Sequence, residues 1–131
     1  MAVIHRTIDV TASPQSTWDK IADVGGVHAM MSILTDARVD GARRVCGLSM
    51  GGELSEIVLS VDESLRRVAY AIVDSPFGLE LHSSSMTATG SGNESQLVWI
   101  TDLKPDAAAE QVAGLIASEI SNIADYLSDG A

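Results

Sequence analysis

The stretch "PDAAAEQVAGLIASEISNIADYLSDG", residues 105–130, decides how the rest of the chain is read. Val112, Leu115, Ile116, Ile120, Ile123 and Leu127 recur at steps of three and four, which places them on one stripe of an α-helix. Pro105 fits the start of that helix, where its missing N–H costs nothing. About 20 residues at 1.5 Å each make a rod about 30 Å long. With one apolar stripe and a polar remainder, the rod needs an apolar surface to lie against.

The preceding residues supply that surface. "ARVD" (37–40), "RRVCGLSM" (43–50), "ELSEIVLSVD" (53–62), "RRVAYAIVD" (66–74), "LELHSSSMTAT" (79–89) and "QLVWITDL" (96–103) read as strands. Gly41, Gly51–Gly52, "DESL", "SPFG" and "GSGNE" break them, and breaks at such regular spacing predict an antiparallel meander. At the N-terminus, "AVIHRTIDV" (2–10) alternates, with Val3, His5, Thr7 and Asp9 on one face and Ile4, Arg6, Ile8 and Val10 on the other. "TASPQSTWDKIAD" (11–23) follows, with Ser13 as N-cap, Pro14 at the first helical position, and Trp18, Ile21 and Ala22 on one face. "VGG" ends that helix and "VHAMMSIL" (27–34) reads as a second short one. The expected order is strand, two short helices, six strands, one long helix. This is an α+β layer arrangement in a single domain, residues 1–131. A seven-stranded antiparallel sheet curved around the terminal helix leaves a concave space, and ligands favour such sites.

Composition narrows the function. Lys and Arg number 8 against 18 Asp and Glu, a formal charge of −10. Such an excess opposes binding to nucleic-acid phosphates and to anionic membrane surfaces. Apolar residues make up 46% of the chain, so it is expected to fold around a core. No run approaches the roughly 20 apolar residues of a membrane span, and "MAVIHRTIDV" lacks the features of a signal peptide. The expectation is a soluble, cytoplasmic protein. Cys46 is the sole cysteine, so no intrachain disulfide forms, and a buried small hydrophobe is its plainest role. His5, His28 and His82 show no metal-ligand spacing, so neither a metal nor another cofactor is expected. Ser83–Ser85 lack a nucleophile elbow, and no helix follows "GSGNE" to cradle a phosphate.

"IDVTASPQSTWDKIADVGGV" (8–27), "DGARRVCGLSMGGELSEIVLSVDESLRRVAYAIVDSPFGLE" (40–80) and "QLVWITDLKPD" (96–106) resemble, in order and spacing, the START-like superfamily. That superfamily has the helix-grip fold and includes the birch-pollen-allergen type, polyketide cyclases and aromatases, and lipid-transfer domains. The resemblance is nearest to small bacterial polyketide cyclase/dehydrase-like proteins and spans essentially the whole chain. It implies a hydrophobic cavity between sheet and terminal helix. Where many relatives place Trp and Pro after "ADVGGV", this chain has His28, Ala29, Met30, Met31 and Ser32. Where relatives often carry Tyr, it has His82.

Within that frame, alternation groups Arg44, Cys46, Leu48 and Met50, then Leu54, Glu56, Val58 and Ser60, then Val68, Tyr70 and Ile72. If these faces look inward, Arg44, Glu56 and Tyr70 converge. The opposite faces, with Val45, Ile57, Leu59, Ala69, Ala71 and Val73, are also apolar, so parity leaves the inner side open. The plain alternative for Arg44 and Glu56 is an ion pair at a rim. His82, Glu56, Arg44 and Tyr70 are the candidate acid–base groups. Trp18, Met30, Met31, Met50, Tyr70, Phe77, His82, Met86 and Trp99 are the candidate ligand-binding residues, with ordinary core as their alternative. Three readings follow. The first is a binder of a lipid-, polyketide- or aromatic-like small molecule. The second is a cyclase, aromatase or dehydratase using the same cavity. The third is an interaction module, including a homodimer, acting through exposed apolar surface.

Overall fold

Strand β1 (Ala2–Val10) carries the expected alternation in the computed structural model, which describes residues 1–128. Ile4, Ile8 and Val10 are buried while Val3, His5 and Thr7 are exposed. Helix α1 (Pro14–Ile21) starts as its sequence dictates, with Ser13 Oγ accepting from the Ser16 N–H at 3.1 Å. Trp18 and Ile21 turn into the core, and the Thr17 and Ser95 hydroxyls are hydrogen-bonded at 2.8 Å.

The second helix is shorter than the sequence suggests. After a 3-10 turn at Val24–Gly26, α2 covers Val27–Met30, and Met31 is already extended at φ −121, ψ 119. The reason is a competing acceptor. The N–H groups of Ser32 and Ile33, which would continue the helix, bond instead to the Glu119 carboxylate at 2.8 and 3.1 Å.

Six strands follow: β2 (Leu34–Asp40), β3 (Arg43–Leu48), β4 (Glu53–Asp62), β5 (Arg67–Asp74), β6 (Leu81–Ser91) and β7 (Glu94–Lys104). They form the expected antiparallel meander. β1 pairs with β7, so the sheet order is β1-β7-β6-β5-β4-β3-β2. β3 stops at Leu48 because Gly51 and Gly52, at φ 100 and 86, make the turn that begins beyond it.

Register shifts break the sheet's regularity at three places, one in the β2–β3 pairing between Leu34 and Asp36 and two in the β4–β5 pairing. Between Val58 and Ser60 the shift leaves Leu59 unpaired, and opposite Ser55–Glu56 it leaves Val73 unpaired. The shift at Leu59 corrects the expected alternation. Ser60 pairs with Ala69 and is exposed, so it does not share the inner face of Leu54 and Glu56.

The last helix, α3 (Ala109–Ser128), is preceded by a 3-10 turn at Asp106–Ala108. Its stripe is buried at Val112, Ile116, Ile123 and Leu127, and it lies against β1, α1 and α2. The deepest core joins Ile123 and Leu127 to Leu97 and Leu103 of β7, all at 0% exposure. Burial of each such side chain contributes about 1.5–3 kcal/mol. The chain therefore has an α+β, helix-grip architecture: a curved seven-stranded antiparallel sheet around a long C-terminal helix. No helix among the described residues is long and apolar enough to cross a membrane.

Candidate functional site

The inner face is the one bearing Arg44, Cys46, Leu48, Leu54, Glu56, Val68 and Tyr70, all buried. Its polar members fall in two rows running across the strands. In the first row Arg44 stands opposite Glu56, Glu56 opposite Ile72, and His82 opposite Leu103. In the second, Tyr70 stands opposite Ser84, and Ser84 opposite Thr101.

The first row begins with a buried ion pair. Arg44 Nε donates to Glu56 Oε1 at 2.7 Å, and both side chains are 4% exposed. Arg44 Nη1 donates to the Val24 carbonyl at 3.0 Å, and the guanidinium lies 5.1 Å from the Tyr70 ring centre. Burial alone would lower the Arg44 pKa, but the Glu56 charge and hydrogen bond outweigh it and raise it. The rim alternative is thus replaced by a desolvated pair, in which loss of either partner strands a charge. Cys46 Sγ donates to the same Glu56 Oε1 at 3.7 Å, and burial, then the Glu56 charge, push its thiol up to about 12. It stays a protonated thiol at neutral pH.

At the far end of this row the β5–β6 ladder opens, its backbone pairing running only from Arg67 to Tyr70. His82 closes the gap with its side chain: Nδ1 accepts the Ile72 N–H at 2.9 Å. The neutral ring therefore carries its proton on Nε2. Burial pushes the His82 pKa down to about 4, so the ring is neutral at pH 7.

The second row is a hydroxyl relay. Trp99 Nε1 donates to Ser84 Oγ at 2.9 Å, and Ser84 Oγ and Thr101 Oγ1 are 2.9 Å apart. Burial, then the Glu56 charge, push the Tyr70 hydroxyl up to about 12, partly offset by its hydrogen bond to Ser84.

These rows form the floor of a cavity of about 100 Å³, and α3 forms its roof through Val112, Leu115, Ile116 and Glu119. Two connecting segments complete the walls, Met31 and Ile33 from one and Phe77 and Leu79 from the other. Of the candidate ligand-binding residues, Met31, Tyr70, Phe77, His82 and Trp99 line this space. Met30 and Met86 line a separate recess of about 20 Å³ that shares Arg44 and Tyr70 with it. Trp18 is buried at 3% exposure in the core, lining neither. Met50 is 56% exposed in the β3–β4 turn, because the strand ends two residues before it. All four candidate acid–base groups line the cavity.

Glu119 is the residue that sequence reasoning missed. It is 4% exposed and accepts from the Ser32 N–H, the Ser32 hydroxyl, the Ile33 N–H and Asn122 Nδ2. Its signal was a carboxylate three residues after Ile116 and four before Ile123, on the apolar stripe itself.

Glu56 differs from Glu119 in having one oxygen to spare. Among the described residues no hydrogen bond reaches Oε2, yet no fully buried side-chain nitrogen or oxygen lacks a partner. Oε2 therefore keeps access to the open space that Glu56 lines.

Solved structures share this architecture. Protein XoxI from Bacillus cereus matches with a TM-score of 0.89 at 17% identity, covering 98% of this chain and 97% of that one. A START superfamily protein from Mycobacterium smegmatis matches at 0.76 and 11% identity, covering 96% and 94%. The Zhui aromatase/cyclase from Streptomyces sp. R1128 matches at 0.75 and 16% identity, covering 97% and 91%. At these identities the likeness is one of fold. No curated protein matches the chain. The family described as polyketide cyclase / dehydrase and lipid transport matches residues 1–128, and the chain belongs to that family.

Proposed function

We propose that this protein binds a hydrophobic small molecule in the cavity between its sheet and α3. The observation that carries the reading is the mostly apolar space of about 100 Å³ above Arg44, Glu56, Tyr70 and Thr101 and beneath α3. Sites for drug-sized ligands span roughly 300–1,000 Å³, whereas a cavity of about 150 Å³ admits benzene. The space therefore suits one ring or one short acyl segment, either as a whole molecule or as the inserted end of a larger one.

Binding ranks ahead of catalysis for a chemical reason. Cys46 and Tyr70 are pushed up to about 12 and His82 down to about 4, so none of the three changes protonation near neutrality, where an acid–base catalyst works best. A cyclase- or dehydratase-type reaction is the second reading, favoured by the free Glu56 Oε2 facing the same space.

Titration of the ¹⁵N-labelled protein with ethylbenzene tests the first reading. Saturable shifts are expected at the Trp99 indole N–H and at the Thr101 and Ile116 amides. Shifts confined to the outer face, or none, would overturn it. Turnover of a polyketide-like substrate, abolished by Glu56→Gln, would promote the second.

A further inference from the structure

We infer that the cavity selects uncharged molecules bearing a hydroxyl group on an apolar body, with that hydroxyl seated over Ile72 between Glu56 and His82. The inference deepens the binding reading and rests on it.

It follows first from a charge inventory. The charged side chains lining the space are Arg44, Glu56 and Glu119. Arg44 is already neutralised by Glu56 at 2.7 Å. Glu119 is satisfied by the Ser32 and Ile33 donors and stands as a second carboxylate in the wall. An entering carboxylate thus meets an excess of negative charge and no spare cation, while losing its own hydration. An ammonium that approached Glu56 would meet the Arg44 guanidinium on the same carboxylate.

The second part is a hydrogen-bond inventory. Glu56 pairs with Ile72 across β4–β5, and the Ile72 N–H is held by His82 Nδ1. The two groups therefore flank one residue, and both line the cavity. Glu56 Oε2 is an acceptor with no partner among the described residues, and His82 presents Nε2–H as a donor. A hydroxyl is the smallest group that donates to the one and accepts from the other. A pure hydrocarbon would displace water from both and leave them unpaired.

Four probes of nearly equal size decide the point: ethylbenzene, benzyl alcohol, benzylammonium and benzoate, each titrated at pH 7 against the Trp99 indole resonance. Benzyl alcohol is expected to bind at least tenfold more tightly than each of the other three. In Glu56→Gln, the cavity-facing acceptor becomes an amide donor and Arg44 loses its counter-ion. Benzoate should then gain at least tenfold relative to benzyl alcohol, with folding verified by circular dichroism. If Glu56→Gln does not fold, the ranking on the native chain decides alone. Ethylbenzene binding with a flat ranking, or a charged probe binding most tightly, overturns the hydroxyl preference and leaves the cavity reading intact. Failure of all four probes overturns both.

Discussion

His82 spends its Nδ1 lone pair on a backbone amide, and that single bond sets both its tautomer and its pH response. The ring is 6% exposed and its pKa falls from 6.5 to about 4, chiefly through burial. A histidine depressed in the fold favours the native state in its neutral form. The contribution is complete above about 6.5, and it is lost as the pH falls toward about 4, where the unfolded chain binds the proton first. Full loss amounts to on the order of 3 kcal/mol. Denaturant unfolding at pH 7.0 and pH 4.5 should therefore show a steeper drop for the native chain than for His82→Gln, whose amide oxygen still accepts the Ile72 N–H. Parallel drops would show that His82 is not the group responsible. Alternation alone brought Arg44, Glu56 and Tyr70 into one set, but it left their side open because Val45, Ile57 and Ala71 give the other parity an equally apolar face. The deciding fact is tertiary: α3 covers one face only. The role of His82 was not legible at all, because it depends on the ladder parting between β5 and β6.

Among the elements, β1, α1 and α3 were readable because each carries a local signal: uninterrupted strand alternation, the Ser13–Pro14 start, and a helical apolar stripe. The α2–β2 junction was not, because a residue 87 positions from Ser32 determines it. Met30, Met31, Ile33 and Leu34 suit a helix by composition, yet Glu119 captures the two amide protons that would extend it. The clamp ties one cavity wall to the helix that roofs it. Glu119→Ala is expected to lower the unfolding free energy by about 2–3 kcal/mol, since it orphans donors that the fold has partly buried. The specific signature is local: amide exchange at Ser32 and Ile33 should rise at least tenfold more than in β7, with Glu119→Gln intermediate because it keeps an acceptor. Uniform acceleration across the protein would mean that Glu119 serves general stability and clamps nothing in particular.

At the scale of the whole molecule, the cavity is what remains when a bent sheet meets a straight helix. Leu59 and Val73 drop out of register on β4 and β5, both 54% exposed, and such bulges bend the strands that carry them. Neither bulge has a glycine or proline to announce it, so the fold was legible while the size of the hollow was not. That size is testable. Val112 is 8% exposed and lines the space from α3. Val112→Phe adds roughly 50 Å³ of side chain, and filling void at about 24 cal/mol per Å³ returns about 1 kcal/mol. In a hollow of about 100 Å³, the larger ring should therefore leave stability unchanged or raise it slightly, while ethylbenzene binding disappears. In a closely packed interior the same substitution would cost about 1–3 kcal/mol by overpacking. Thermal unfolding with and without ethylbenzene separates the two cases. A destabilised variant that still gains stability from the ligand would show that the molecule binds elsewhere and that the space beneath α3 is not its site.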